Sequence, residues 1–146
     1  MPHSRTLIRQ AVYNSISGIT QFDGIYNSYV GPFPNSDSVN ILTLDESVAY
    51  EHSCMNDTSE QERELRILIE IRTPVYNELL DNLDSFTEYV ENAIYKDTTL
   101  NNYAYNINLE SLTFEYSRDS DGQLGKATMT YSLLYQCDGS NPSTIL

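Results

Sequence analysis

The residues best equipped for chemistry in this chain are two histidines, two cysteines and several acidic runs, and each would need partners to act. His3 and His52 have no ligand at metal-binding spacing. Cys54 follows His52 by two positions. A thiol nucleophile there would need a third group to orient its base, and none is apparent. Asp119, Ser120, Asp121 and Gly122 begin like a calcium loop. The bidentate Glu that completes such a loop should lie six residues past Gly122, where the chain has Thr128. A hairpin turn explains the run better, since Asp and Gly supply its dihedrals. Asp81, Asp84, Glu88 and Glu91 recur at helical spacing, so acid–base or metal work is conceivable. They lie between apolar positions, as a solvated helix face does. Glu70 and Arg72 could belong to a nuclease-like sheet site, but neither the further acid nor the lysine it needs can be placed from the sequence. There is no glycine-rich phosphate loop and no serine nucleophile elbow. The expectation is therefore no catalytic residue, no metal and no cofactor.

The elements that would position these groups are easier to read. Leu65, Ile67, Ile69 and Ile71 alternate with Arg66, Glu70 and Arg72, which predicts a strand over 64–73, ended by Pro74. Leu79, Leu80, Leu83, Phe86, Val90, Ala93 and Ile94 recur as one helix face, so a helix should start near Asn77, or at Asp81, and end near Lys96. Its face should pack on Ile67 and Ile69. A first helix is expected over 5–17, with Ser4 as its cap, Gly18 at its end, and Leu7, Ile8, Ala11, Val12 and Ile16 inward. Val39, Ile41 and Thr43 mark a buried strand, which 47–51 extend or pair with, and 52–61 read as an exposed loop. Residues 103–116 read as a strand whose phase slips, which places a bulge near Glu110 and Ser111. The return strand is 126–136. Together these predict an α+β fold: a mostly antiparallel mixed sheet packed by two helices. Residues 1–137 form one domain, and 138–146 read as a flexible tail.

Composition bounds the partners. Eight Lys and Arg against twenty-one Asp and Glu give a net charge of −13. Without clustered basic residues, tight binding to duplex phosphate is not expected. No apolar run has the length of a bilayer span or a signal peptide. A reducing, cytosolic setting with Cys54 and Cys137 as free thiols follows as the default. Twelve Tyr and no Trp suit half-buried sheet faces and interfaces.

The order of segments carries a resemblance. A helix opening Ser-Arg-Thr-Leu-Ile-Arg-Gln-Ala-Val precedes the strand Val-Asn-Ile-Leu-Thr-Leu-Asp-Glu. Then come Arg-Glu-Leu-Arg-Ile-Leu-Ile-Glu-Ile-Arg and Leu-Leu-Asp-Asn-Leu-Asp-Ser-Phe-Thr-Glu-Tyr-Val-Glu-Asn-Ala-Ile. Leu-Glu-Ser-Leu-Thr-Phe-Glu-Tyr, a turn, and Lys-Ala-Thr-Met-Thr-Tyr-Ser-Leu-Leu-Tyr close it. From Ser4 to Tyr135 this resembles the tail terminator (minor tail protein U-like) family of long-tailed bacteriophages. The resemblance implies a non-enzymatic virion subunit, made in the host cytoplasm, without cofactor or membrane contact. It implies a homohexameric ring that stops growth of the tail tube, contacts the tube protein, and meets a head-side connector or neck protein. DNA would pass through the ring without specific binding. The chain departs from the family pattern in its longer loop over 22–38 and its acidic loop over 51–62. Another head–tail neck or completion ring, or a cytosolic α+β binding module, is compatible with the same elements.

The stretch 19–40 is the least regular and suggests a long loop with one short strand. Tyr26, Tyr29 and Phe33 sit there among Gly24, Gly31, Pro32 and Pro34, outside any periodic element. They either anchor the loop to its own core or contact a partner. As candidates for oligomer or partner contact, these three are the site residues the sequence offers.

Overall fold

Four fully buried side chains at alternate positions, Leu65, Ile67, Ile69 and Ile71, set the centre of the molecule. In the computed structural model they lie on a strand longer than their alternation marks, Ser59–Thr73 (β3), flanked on both sides by antiparallel partners. The structure describes residues 2–30, 36–53, 59–74, 77–116 and 125–146, with the backbone alone at 50–53 and 59. One neighbour of β3 is Ser38–Ser53 (β2), and the other is Gly125–Asp138 (β5). Ile69 stands opposite Ile41 on one side and Met129 on the other, so the buried rows of three strands coincide. Of the region read as a loop over 52–61, β2 takes in 52–53 and β3 takes in 59–61; 54–58, Cys54 among them, lie outside the described residues.

Two edge strands and a terminal strand complete the sheet. Gly24–Asn27 (β1) runs parallel to β2, and Asn106–Tyr116 (β4) antiparallel to β5, giving the order β1-β2-β3-β5-β4. In β4 the register shifts between Leu109 and Ser111, the bulge that the phase slip demanded. Tyr103 and Tyr105 do not join the strand. They belong to turns in which Leu100, Asn101 and Asn102 take positive φ (50°, 59° and 66°), two of them the Asn type that tolerates it. Asp97 Oδ2 accepts the Asn101 N–H at 3.0 Å there, and Leu100 is fully buried. Asn141–Ile145, in the stretch read as a tail, forms a strand (β6) on the end of β5. So short a strand, held by one neighbour, leaves no period in the sequence. The Asp119–Gly122 run, between β4 and β5, lies outside the described residues.

Two helices, Ser4–Ile16 (α1) and Leu79–Tyr95 (α2), pack on the face that carries the buried rows. α1 meets β1, β2 and β6, and α2 meets β3 and β5. The expected α+β class is what the chain adopts: two helices and a six-strand mixed, mostly antiparallel sheet. The caps differ from expectation. His3 caps α1, its Nδ1 accepting the Arg5 N–H at 3.1 Å, while Ser4 is buried and donates its hydroxyl to the Pro142 carbonyl. Neither Asn77 nor Asp81 caps α2. Glu78 does so in a left-handed conformation (φ 56°) without a side-chain bond. The buried stripe of α2 is Leu83, Thr87, Val90 and Ile94, with Phe86 half-buried beside it and Leu80 exposed in the first turn. Thr87 is tolerated inside because its hydroxyl donates to the Asp84 carbonyl at 2.9 Å.

Candidate assembly surface

Tyr26 and Tyr29 meet at the β1 edge of the sheet. Tyr26 sits within β1, and its ring folds back over Gly24. A Cβ on Gly24 would come within 2.6–2.8 Å of the Tyr26 ring and hydroxyl, so only glycine leaves the space. Directly after β1 the chain turns through Ser28 at φ 62°. Ser28 N–H donates to the Ile41 carbonyl at 2.8 Å, so the turn is tied to β2. The turn brings the Tyr29 ring to 5.2 Å from the Tyr26 ring, tilted by 36°. Asn40 then holds Tyr29 at both ends of its peptide: Asn40 Oδ1 accepts the Tyr29 N–H at 3.1 Å, and Asn40 Nδ2 donates to the Tyr29 carbonyl at 2.9 Å. Asn40 is 1% exposed, yet fully employed, which is how a polar side chain survives between Val39 and Ile41. Tyr29 and the following Val30 are exposed, at 37% and 90%.

The sequence placed three aromatics here, and the structure brings two together. Phe33 lies outside the described residues. Phe22, at the start of the same stretch, is a core residue: 7% exposed, with its ring 5.0 Å from Phe86 of α2. The anchoring role and the exposed role therefore fall on different aromatics of one segment. Behind the tyrosines, Arg9 of α1 steadies β1. Its Nε donates to Asn27 Oδ1 at 3.1 Å and its guanidinium to Thr43 Oγ1 at 2.9 Å. Asn40 and Arg9 carry no signal in the sequence beyond a polar residue inside an apolar run and a helix arginine.

The opposite edge of the sheet is also apolar on its helix side. Leu109, Leu112, Phe114 and Tyr116 of β4 stand opposite Tyr131, Met129, Ala127 and Gly125 of β5, all of them buried. Most of this row stays open: Leu112 is half-buried against the core, but Leu109, Phe114 and Tyr116 are 38%, 37% and 56% exposed. The parity of Leu112, Phe114 and Tyr116 was visible in the sequence; that β4 would be an uncovered edge was not.

Other groups with chemical potential are spent on structure. Glu46, with its side chain 10% exposed, accepts from Arg5 and from the Tyr135 hydroxyl, and Arg63 lies 3.6 Å away. This joins α1, β2, β3 and β5 beneath the first turn of α1. Burial, then the bond to Glu46, raises the Tyr135 phenol above its ordinary range, and burial raises Tyr131 likewise. Burial and the neighbouring Arg5 lower His3, a helix cap. On the other face of the sheet, Glu70 lies 3.2 Å from Lys126 and 3.8 Å from Arg72. That supplies the lysine a nuclease-like site would want. Among the described residues no group of three His, Cys, Asp or Glu is placed to hold a metal ion. Asp81, Asp84 and Glu88 are exposed on α2. Cys137 is a free, buried thiol. No described helix is long and apolar enough to cross a membrane.

No family model matches the sequence, and no curated protein matches it. Among solved structures, the chain is similar to a chain of a particle described as "Virion of native gene transfer agent (GTA) particle", at 11% identity, over 90% of this chain and 94% of that one, with a TM-score of 0.41. A likeness of that size carries no functional argument.

Proposed function

We propose that this chain is a structural subunit of a phage-like virion and, more finely, a tail terminator: one of six copies in a ring that caps the tail tube and meets the head-side connector. The observation that carries this reading is the element order. Helix, two long strands, helix and two further strands follow one another as in the layout on which the family resemblance rests, with the short strands β1 and β6 added to it. Tyr29 and Val30, exposed beside the half-buried Tyr26, support it, because a ring needs surface that a lone subunit leaves to solvent. The net charge of −13 suits a ring that DNA crosses without being held. The role is non-enzymatic, and the subunit resides in the virion after assembly in the host cytoplasm.

Changing Tyr26, Tyr29 and Phe33 together to Ser tests the reading. The circular dichroism spectrum should be preserved and assembly weakened, and particles made with this variant should carry overlong or unjoined tails. Normal tails and normal joining would refute it. A binding module is the second reading. A cleft of about 440 Å³ between α1 and the end of α2 favours it, lined by Leu7, Ala11, Asn14, Ala93, Lys96 and Tyr103 among others.

A further inference from the structure

We propose that copies of this chain join edge to edge, with β4 of one copy lying antiparallel to β1 of the next so that the sheet continues across the joint. The proposal rests on the assembly reading above and adds the two surfaces that meet.

The first surface is β4. Among the described residues β5 is its only strand partner, so one side of its backbone has no ladder. Natural sheets commonly blunt such an edge with lysine or proline. β4 reads Asn-Ile-Asn-Leu-Glu-Ser-Leu-Thr-Phe-Glu-Tyr and contains neither. Its bulge breaks the edge at Leu109 and Ser111, but leaves 111–116 as a straight run. Along that run Leu112, Phe114 and Tyr116 extend the buried rows of the core beyond the cover of α2. A partner must therefore supply a strand and something apolar on the helix side.

Charge selects the occupant. α2 and β4 together carry Asp81, Asp84, Glu88, Glu91, Glu110 and Glu115, with no Lys or Arg in either element. Two copies meeting β4 to β4 would set these acids against their own kind, which is unfavourable at close range. The other end of the sheet is different. β1 is Gly-Ile-Tyr-Asn, uncharged, and α1 above it carries Arg5 and Arg9 with no acid. Asp23 and Asp37 beside β1 bring that edge near neutrality, not to the strong negative charge of the other. Arg9 is held there by the neutral oxygens of Asn27 and Thr43.

Strand direction agrees with the charge. β1 and β2 run one way, β3 the other, β5 with β2, and β4 against β5. A second copy set beside the first without being turned over places its β1 antiparallel to β4, with both helix layers on the same side. The incoming α1, which packs on its own β1, then faces the row at Phe114 and Tyr116, and the exposed Tyr29 and Val30 enter the joint. Such a contact is head-to-tail, and it closes into a ring when the sheet also curves at each joint, since twist alone would propagate as an open screw.

Two single variants test it. Phe114→Asp spoils the β4 edge, and Val30→Asp spoils the β1 edge. Tyr116→Asp and Tyr29→Asp form a second pair should either lose the native circular dichroism. By sedimentation velocity, each variant alone should associate at least ~10-fold more weakly than the wild type, a loss of about 1.4 kcal/mol. Mixed, they should form a one-to-one dimer and nothing larger, because each keeps one intact edge. Dimers of Val30→Asp alone would mean β4 pairs with itself and would overturn the proposal. Variants that assemble like the wild type would overturn it too, leaving the ring reading in place. A wild type that stays monomeric would remove both.

Discussion

Phe86 is the residue on which α2 turns. It is half-buried, and its ring meets Phe22 from the irregular segment between α1 and β2. Phe86→Ala should cost about 2–4 kcal/mol, toward the low side of the range for buried aromatics because part of the ring is already wet. Urea unfolding measures this; a loss below about 1 kcal/mol would mean that the Phe22 contact does not form. Tyr135 offers a second test, through pH. Burial and the Glu46 carboxylate raise its phenol, and burial raises that of Tyr131. The folded chain therefore keeps protons that the unfolded chain has released once the pH passes the ordinary phenol value of about 10. Stability from these groups is full below that value and falls as the pH rises above it. Tyr135→Phe should lose about 1.5–3 kcal/mol near neutrality, for the missing bond to a charged partner, and should decline less steeply in alkali. An unchanged alkaline slope would count against the buried phenol. The site was legible only in part at this scale. Tyr26 and Tyr29 stood out as aromatics among turn residues, but Asn40 and Glu46, which hold the surrounding elements, act through contacts across distant strands that no local pattern records.

Elements with their own period were read correctly from the sequence. β3 announces itself by alternation and α2 by its stripe, and the bulge in β4 by a change of parity that a regular strand could not accommodate. β6 was hidden, and β1 was expected only as one short strand without bounds, because each is short and takes its structure from one neighbour. The end of β2 past 51 and the start of β3 before 64 were hidden for another reason: polar residues such as Glu60, Gln61 and Glu62 form strand there through ladder bonds to β2 and to β5, not through burial. The bulge gives an element-scale prediction. Glu110 is the extra residue between the pairs Leu109–Tyr131 and Ser111–Thr130. Deleting it should straighten β4 while leaving Leu112, Phe114 and Tyr116 on the helix side, at a cost within about 1 kcal/mol. Chemical denaturation of the deletion variant checks this. A loss of several kcal/mol would show that the bulge itself is required.

At the scale of the whole molecule the chain is a two-layer slab. Its helices cover β1, β2, β3 and β5 on one face, and β4 extends past them. The opposite face carries paired charges such as Arg66 with Asp45 and Lys126 with Glu70. With net charge −13 and no described basic cluster, the subunit should show no duplex DNA binding at physiological salt; a micromolar complex in a mobility-shift assay would contradict this. The central claim is assembly. Light scattering of the purified protein across a wide concentration range measures it most directly. A closed species of six copies of the 16.7 kDa chain is expected, or a concentration-dependent approach to it. A single mass of one chain at every concentration would contradict it.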